Sequence, residues 1–384
     1  MNFLFSEDQQ DLSELLAKYL ADRSSEDTVR DTMASQDGYD MTVWRGLADE
    51  VGVLGLAIPE EYGGAGLGAV EQGIVQEALG ATLACVPYFS TVVMAAPCLA
   101  AASEDVRTAW LPRIADGSAI LTVAAGQLRT PWLADPFLGA EAEHTETGWV
   151  LSGTFEQVLD AHVADALLVV ATHEGKPSLF LVEAGSEGVA VDPLSTMDQT
   201  RRFAKVVLTG ARAELAVAEA GPVLARVRDL ALCALAAEQL GGARRCLDLS
   251  VSYAKTRLQF GRPIGSFQAI KHRCAEMLIQ LESAQAVTRH ALWSADHDQE
   301  ALPVAAMMAK IAASEAYSKV AGDTIQVHGG IGFTWDHPAH MYFKRAKSTE
   351  LWLGDPASHR QRLAKILRLV PVHDGAGQFD LIGG

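Results

Sequence analysis

The chain has 384 residues, 49% of them hydrophobic and 21% charged, an ordinary globular composition without the marks of disorder, collagen or a disulfide scaffold. A formal net charge of −17 leaves no basic excess to neutralise phosphates, which argues against a nucleic-acid partner. A single arginine or a helix end can still hold a phosphorylated ligand locally.

Along the chain, Ser6 and Gln9 predict a capping box at the start of a helix that carries Leu12, Leu15, Leu16, Tyr19 and Leu20 at helical spacing. The stretch before it, MNFLFSEDQQ, is acidic and lacks a signal-peptide core. No apolar run reaches the about 18 residues that a membrane span needs, so the cytoplasm is the expected location and no membrane partner is expected. A second helix is predicted over Trp44, Leu47, Val51 and Leu54. The turn formers from Pro59 to Gly68 predict a loop, and Ala-rich helical text continues to about Ile114.

Between Ala119 and Ala213 the period changes. Short apolar runs at Trp149–Leu151, Ala166–Val170, Ser178–Val182 and Lys205–Leu208 are separated by Gly, Asp, Pro and Ser, which predicts a small antiparallel barrel or sandwich. Long helices return near Pro222–Thr256, Ser266–Ala295 and Leu302–Val327, the lengths of a four-helix bundle. The expected α+β organisation is an N-terminal helical domain (1–117), a β domain (118–214), a helical bundle (215–369) and a tail (370–384). The five cysteines, Cys85, Cys98, Cys233, Cys246 and Cys274, are odd in number and show no CxxC or zinc-like spacing. Reduced thiols and no metal site are expected.

Three segments carry a resemblance. Pro59-Glu60-Glu61-Tyr62-Gly63-Gly64-Ala65-Gly66 is the first. Tyr253-Ala254-Lys255-Thr256-Arg257-Leu258-Gln259-Phe260-Gly261-Arg262-Pro263-Ile264, followed by Phe267-Gln268-Ala269-Ile270, is the second. Gln326-Val327-His328-Gly329-Gly330-Ile331-Gly332-Phe333-Thr334 is the third. In this order, and with this α–β–α layout, the chain resembles the acyl-CoA dehydrogenase family over nearly its whole length. The resemblance implies FAD as cofactor and α,β-desaturation of an acyl-CoA thioester. In that chemistry a carboxylate takes the α-proton while hydride leaves for the flavin.

The resemblance also implies that Arg257, Gln259 and Phe260 reach the FAD of a neighbouring subunit, the guanidinium on the pyrophosphate and the aromatic over the adenosine end. Gln326, Gly329 and Gly330 match the loop that approaches the same cofactor. Simpler readings exist beside these: Arg257 as a cation at a helix C-terminus, Gly329 as a plain helix cap, and His328 as a structural histidine.

Elements serving the chain's own flavin are missing. The family's Thr-Glu-Pro stretch is replaced by Ala124-Ala125-Gly126-Gln127-Leu128-Arg129-Thr130. In the segment Ser152–Asp160, Gln157 stands for the aromatic and Leu159 for the hydroxyl. Both family seats for the base are empty. Leu353 occupies the C-terminal turn, and Ala231 lies thirty residues before Gly261 on the long helix. Asp355, Glu350 and Glu238 are the nearest substitutes. Asp229 points roughly 200° around the helix from Ala231.

Three functions fit. The first is a subunit of a heterotetramer that completes the FAD site of a paralogous subunit. That complex would act on an acyl-CoA, a bulky steroid side-chain thioester being the substrate suggested by related heterotetramers, with an electron-transfer flavoprotein as acceptor. The second is a self-sufficient homo-oligomeric dehydrogenase with a relocated base, and the third a non-enzymatic structural protein of the same fold.

Overall fold

The computed structural model describes residues 5–126 and 139–369. The tail 370–384 and the segment Gln127–Thr130 lie outside the described residues. Helix α1 (Glu7–Arg23) starts at the expected capping box: Gln9 N donates to Ser6 Oγ at 3.2 Å and Ser6 N donates to Gln9 Oε1 at 3.0 Å. A short helix follows, α2 (Glu26–Ala34), capped by Ser25. The sequence reading missed it because only Val29, Thr32 and Met33 are buried, too few to show a period. Helix α3 (Met41–Asp49) buries Trp44 and Leu47. The predicted second helix is shorter than expected: Gly52, at φ +75°, turns the chain, and Val51 and Leu54 lie beyond the helix end. Helix α4 (Ala69–Thr82), a π-helical turn (Phe89–Ala95) running into α5 (Ala96–Ala100), and α6 (Glu104–Ala115) complete the helical N-terminal part.

Seven strands follow: β1 (Leu121–Ala124), β2 (Ala140–Thr145), β3 (Gly148–Leu159), β4 (Ala166–His173), β5 (Lys176–Glu183), β6 (Val189–Pro193) and β7 (Phe203–Val217). Pairings β4–β2, β2–β3, β3–β7, β7–β5 and β5–β4 close a ring, with β1 added to β4 and β6 to β7. The ring is not purely antiparallel as expected. β4 pairs parallel with both β1 and β2, because β3 carries the chain back past β2 before β4 enters. Inward-facing Phe155, Phe180, Leu167, Val169 and Val206 fill it. β7 runs to Val217, past residue 214, because Leu215 and Val217 still pair with Phe180 and Leu179.

The C-terminal part is a bundle of α7 (Gly221–Thr256), α8 (Gln268–His297), α9 (Leu302–His328) and α10 (Ala339–Leu351), followed by α11 (Pro356–Ile366). α7 and α9 run parallel, since Gln239 meets Ser314 at one level and Ser250 meets Thr324 at another. All five thiols are free, and burial pushes Cys85 and Cys98 up to about 12. Among the described residues no helix is long and apolar enough to cross a membrane.

α4 and α7 touch backbone to backbone. A Cβ on Gly241 would lie 1.8 Å from the Glu77 carbonyl oxygen, and one on Gly80 would lie 2.1 Å from that of Glu238. Gly241→Ala is therefore expected to destabilise the chain by about 1–3 kcal/mol through overpacking. Urea unfolding measures this, and an unchanged midpoint would show that the two helices can part freely.

Candidate functional site

α7 ends where Arg257 turns extended, at φ −70° and ψ 122°. A two-strand arm follows, β8 (Leu258–Gln259) paired with β9 (Arg262–Pro263), and Ile264 N donates to the Arg257 carbonyl at 2.8 Å across its base. The two tip residues, Phe260 and Gly261, have φ of 54° and 77°. This is the double positive-φ pattern of a tight hairpin, which glycine adopts freely and phenylalanine does not. Phe260 is 92% exposed, with an edge contact to Phe267 at 6.0 Å. Gln259 is exposed beside it. The Arg257 guanidinium is also exposed and has no partner among the described residues.

The second motif lies at the same end of the bundle. Gln326 is exposed on the last turn of α9, and Gly329 caps that helix at φ 63°, so the capping role is real. Gly330 differs. Its φ is not left-handed and a Cβ there would meet nothing, so its own chain gives no reason for glycine. Tyr253, one turn before Arg257, stacks on His328 at 4.4 Å between ring centres, which joins the two motifs. His328 is buried, as a structural histidine would be.

A separate cavity of about 500 Å³ lies between the β domain and α10. β3 delivers Gln157 and Leu159 to it, and Met94, Val123, Trp352 and Leu353 complete its apolar wall. Gln157 and Leu159 are the two residues that stand for the aromatic and the hydroxyl of the resembling family. Of the replaced Thr-Glu-Pro stretch, Ala125 and Gly126 reach the cavity. Trp352 packs on Phe89 at 4.8 Å and on Phe203 at 5.9 Å, with the Arg201 guanidinium over its face at 4.8 Å. Leu353 sits at φ 59° with its carbonyl accepting from His359 Nε2 at 3.0 Å. Ala231 is fully buried.

Behind that aromatic stack lies a chamber of only about 30 Å³, lined by Gln76, Asp160, Arg201, Glu238 and Arg345 among others. Burial pushes the Asp160 carboxyl up to about 6, although Ser90 Oγ donates to it at 2.7 Å. This is a basic carboxylate, but the chamber has room for a water and not for a substrate.

The candidate substitute bases are each committed elsewhere. Asp355 caps α11, accepting from Ser358 N at 2.7 Å, and that bond lowers its pKa. Glu350 accepts from Ser318 Oγ at 2.7 Å and Lys347 Nζ at 2.8 Å. Burial raises it, but these donors leave it below the usual range. Glu238, 4% exposed, bridges Arg201 and Arg345. Burial raises it, and the two guanidiniums outweigh that and lower it. A general base at neutral pH needs the opposite shift and an open path to its proton. Asp229 pairs with Arg228 at 3.0 Å and is buried.

Sequence reasoning missed Arg201, Arg345 and Asp160. No local pattern separates a buried arginine in a helix or loop from an exposed one, so no signal could have found them.

Comparison with known proteins adds the following. The profile described as "Acyl-CoA dehydrogenase, N-terminal domain" matches residues 6–118, and "Acyl-CoA dehydrogenase, C-terminal domain" matches residues 232–367. The chain is 38% identical to acyl-CoA dehydrogenase IpdE2 of Mycobacterium tuberculosis over 93% of its own length and 96% of that protein. It superposes on one chain of the ChsE4–ChsE5 complex from Mycobacterium tuberculosis with TM-score 0.88 and 35% identity, covering 97% of this chain and 100% of that one. A chain of a Tcur3481–Tcur3483 steroid ACAD variant gives TM-score 0.86 and 35% identity over 94% of this chain and 98% of its own length.

Proposed function

Because this chain belongs to the acyl-CoA dehydrogenase family, we propose that it is the subunit of a heteromeric dehydrogenase that completes a flavin site on a paralogous partner and has no base of its own. FAD is the cofactor of that family, and when bound it accepts the hydride that leaves the β-carbon of an acyl-CoA. The residues present fit one end of FAD only. Arg257 offers an unpaired guanidinium, Phe260 an uncovered ring, and Gln326 with Gly329 and Gly330 an open loop. These suit the pyrophosphate and adenosine end of a cofactor that approaches from outside. In the cavity between the β domain and α10, Gln157, Leu159 and Leu353 stand where the family resemblance puts an aromatic, a hydroxyl and a carboxylate. The aromatics, hydroxyls and carboxylate that do line it come from other positions, among them Trp352, Phe203, Thr196 and Asp198.

The observation that carries this reading is the strained, exposed Phe260 beside the unpaired Arg257, on a chain with net charge −17. Among the described residues Arg257 has no partner and Phe260 only an edge contact with Phe267. The likeness to one chain of a two-protein complex and to a steroid ACAD supports a paralogous partner and a bulky, steroid-type acyl-CoA as substrate of the complex. An electron-transfer flavoprotein is the natural acceptor for such a complex.

Arg257→Ala tests the assignment. Loss of charge-assisted bonds to a pyrophosphate is expected to weaken flavin retention by the complex roughly 10- to 100-fold. Flavin absorbance per complex, before and after dilution, measures it. Full occupancy at unchanged affinity would overturn the assignment.

A further inference from the structure

His328 lies within the loop motif but has no role in the site described above. Its imidazole is 5% exposed and sits between two rings, Tyr253 at 4.4 Å with planes 29° apart and His337 at 4.3 Å. His328 Nδ1 faces the Thr324 carbonyl at 2.8 Å, so that nitrogen carries the proton. His337 is the reverse case. Its Nδ1 accepts from the Ala339 amide at 3.2 Å, a bond at the start of α10 that exists only while that nitrogen is unprotonated. The stack therefore joins three pieces: the last turn of α7, the last turn of α9, and the loop just before α10. Arg257 follows Tyr253 by one turn, and Gln326 and Gly329 flank His328.

We propose that His328 is a positioning residue for the partner-facing half-site: its neutral ring, held between Tyr253 and His337, fixes the Gln326–Gly330 loop relative to the Arg257–Phe260 arm, and protonation of this histidine group releases the loop. The proposal rests on the half-site reading given above.

The surroundings set the sign. Tyr253 of α7 and His337 face His328. Glu26 and Arg30 of α2 and His340 face His337, while Lys344 of α10, Arg30 and Glu26 face His340. Burial is the largest influence on all three imidazoles and lowers each below the ordinary value. A detached loop would titrate near the unperturbed value of about 6.5 and would bind more protons than the ordered loop below it. The ordered arrangement is therefore complete above that value and is lost as the pH falls.

The experiment uses the co-purified complex and reads flavin release by fluorescence as the pH is lowered from about 7.5 to about 5, across the histidine range. The wild type is expected to release flavin along an acid limb. His328→Phe keeps the stacking and cannot be protonated, so its flavin affinity near neutrality should stay within about twofold and its acid limb should shrink. His328→Ala loses both ring contacts and should hold flavin roughly tenfold more weakly at every pH. A full wild-type acid limb in His328→Phe, or undiminished affinity in His328→Ala, overturns the proposal. Arg257→Ala is run in parallel. If it weakens flavin binding while both His328 variants behave as wild type, the positioning role alone fails. If Arg257→Ala has no effect, the half-site reading itself fails.

Discussion

Purified alone, this chain is expected to desaturate no acyl-CoA at a measurable rate, and to support turnover only when co-purified with a paralogous partner. Removing a positioned base commonly lowers the rate by about 10²–10⁴, and Gln157 and Leu159 in place of the family's aromatic and hydroxyl are expected to lower it further. The two base seats hold Leu353 and Ala231, neither of which can accept a proton. The three nearby carboxylates are bonded into structure and, in each case, less basic than usual. The arm and loop at the other end of the bundle remain, with an arginine that nothing among the described residues neutralises. A dye-reduction assay on short, long and steroidal acyl-CoAs, comparing the single chain with the complex, makes the measurement. Vigorous turnover by the single chain, abolished by Asp355→Asn or Glu350→Gln, would establish a relocated base and overturn the half-site model.

Glu238→Gln is expected to cost about 3–5 kcal/mol of stability, because it breaks a buried ion pair and leaves uncompensated charge behind. Glu238 on α7 accepts from Arg201 Nη2 and, at 2.8 Å, from Arg345 Nη1 on α10. Arg345 Nε meets Asp198 Oδ2 at 2.8 Å, and its Nη2 donates to the Thr200 carbonyl at 2.9 Å. The lattice thus fastens the loop before β7 to two bundle helices, and Arg201 extends it onto Trp352 and Phe89. Its pH dependence follows from the lowered Glu238. The stabilisation is present above the ordinary carboxylate range and is lost as the pH falls through the depressed value. Denaturant unfolding near neutrality, repeated near pH 4, tests both statements. If Glu238→Gln leaves stability unchanged and only removes the activity of the complex, Glu238 is a chemical group rather than a fastening.

These two expectations draw on different layers of information. The proposal of an absent base comes from the sequence, since Leu353 and Ala231 are single residues at positions that neighbouring motifs mark. The capping box at Ser6 and Gln9, the three long helices and the strand-rich middle were legible for a related reason. Capping, period and turn chemistry act between residues a few positions apart, so adjacent text records them. The second helix was overextended because its apolar spacing continues through Val51 and Leu54, and Gly52 decides the matter by turning the chain.

The tertiary structure alone decided the rest. Closure of the β ring, with parallel pairing at β4, depends on where β3 returns the chain. The Arg201–Glu238–Arg345 lattice joins Glu238 to a residue 107 positions away and Thr200 to one 145 positions away, and nothing local marks these charges as buried. His328 reads as a structural histidine in the sequence, and only the fold brings Tyr253 and His337, from two other segments, against its ring. Local chemistry determined which elements form. Long-range packing determined which charges are fastened inward and which, like Arg257 and Phe260, are left facing out, because burial is a property of the assembled chain and not of any residue's neighbours in sequence.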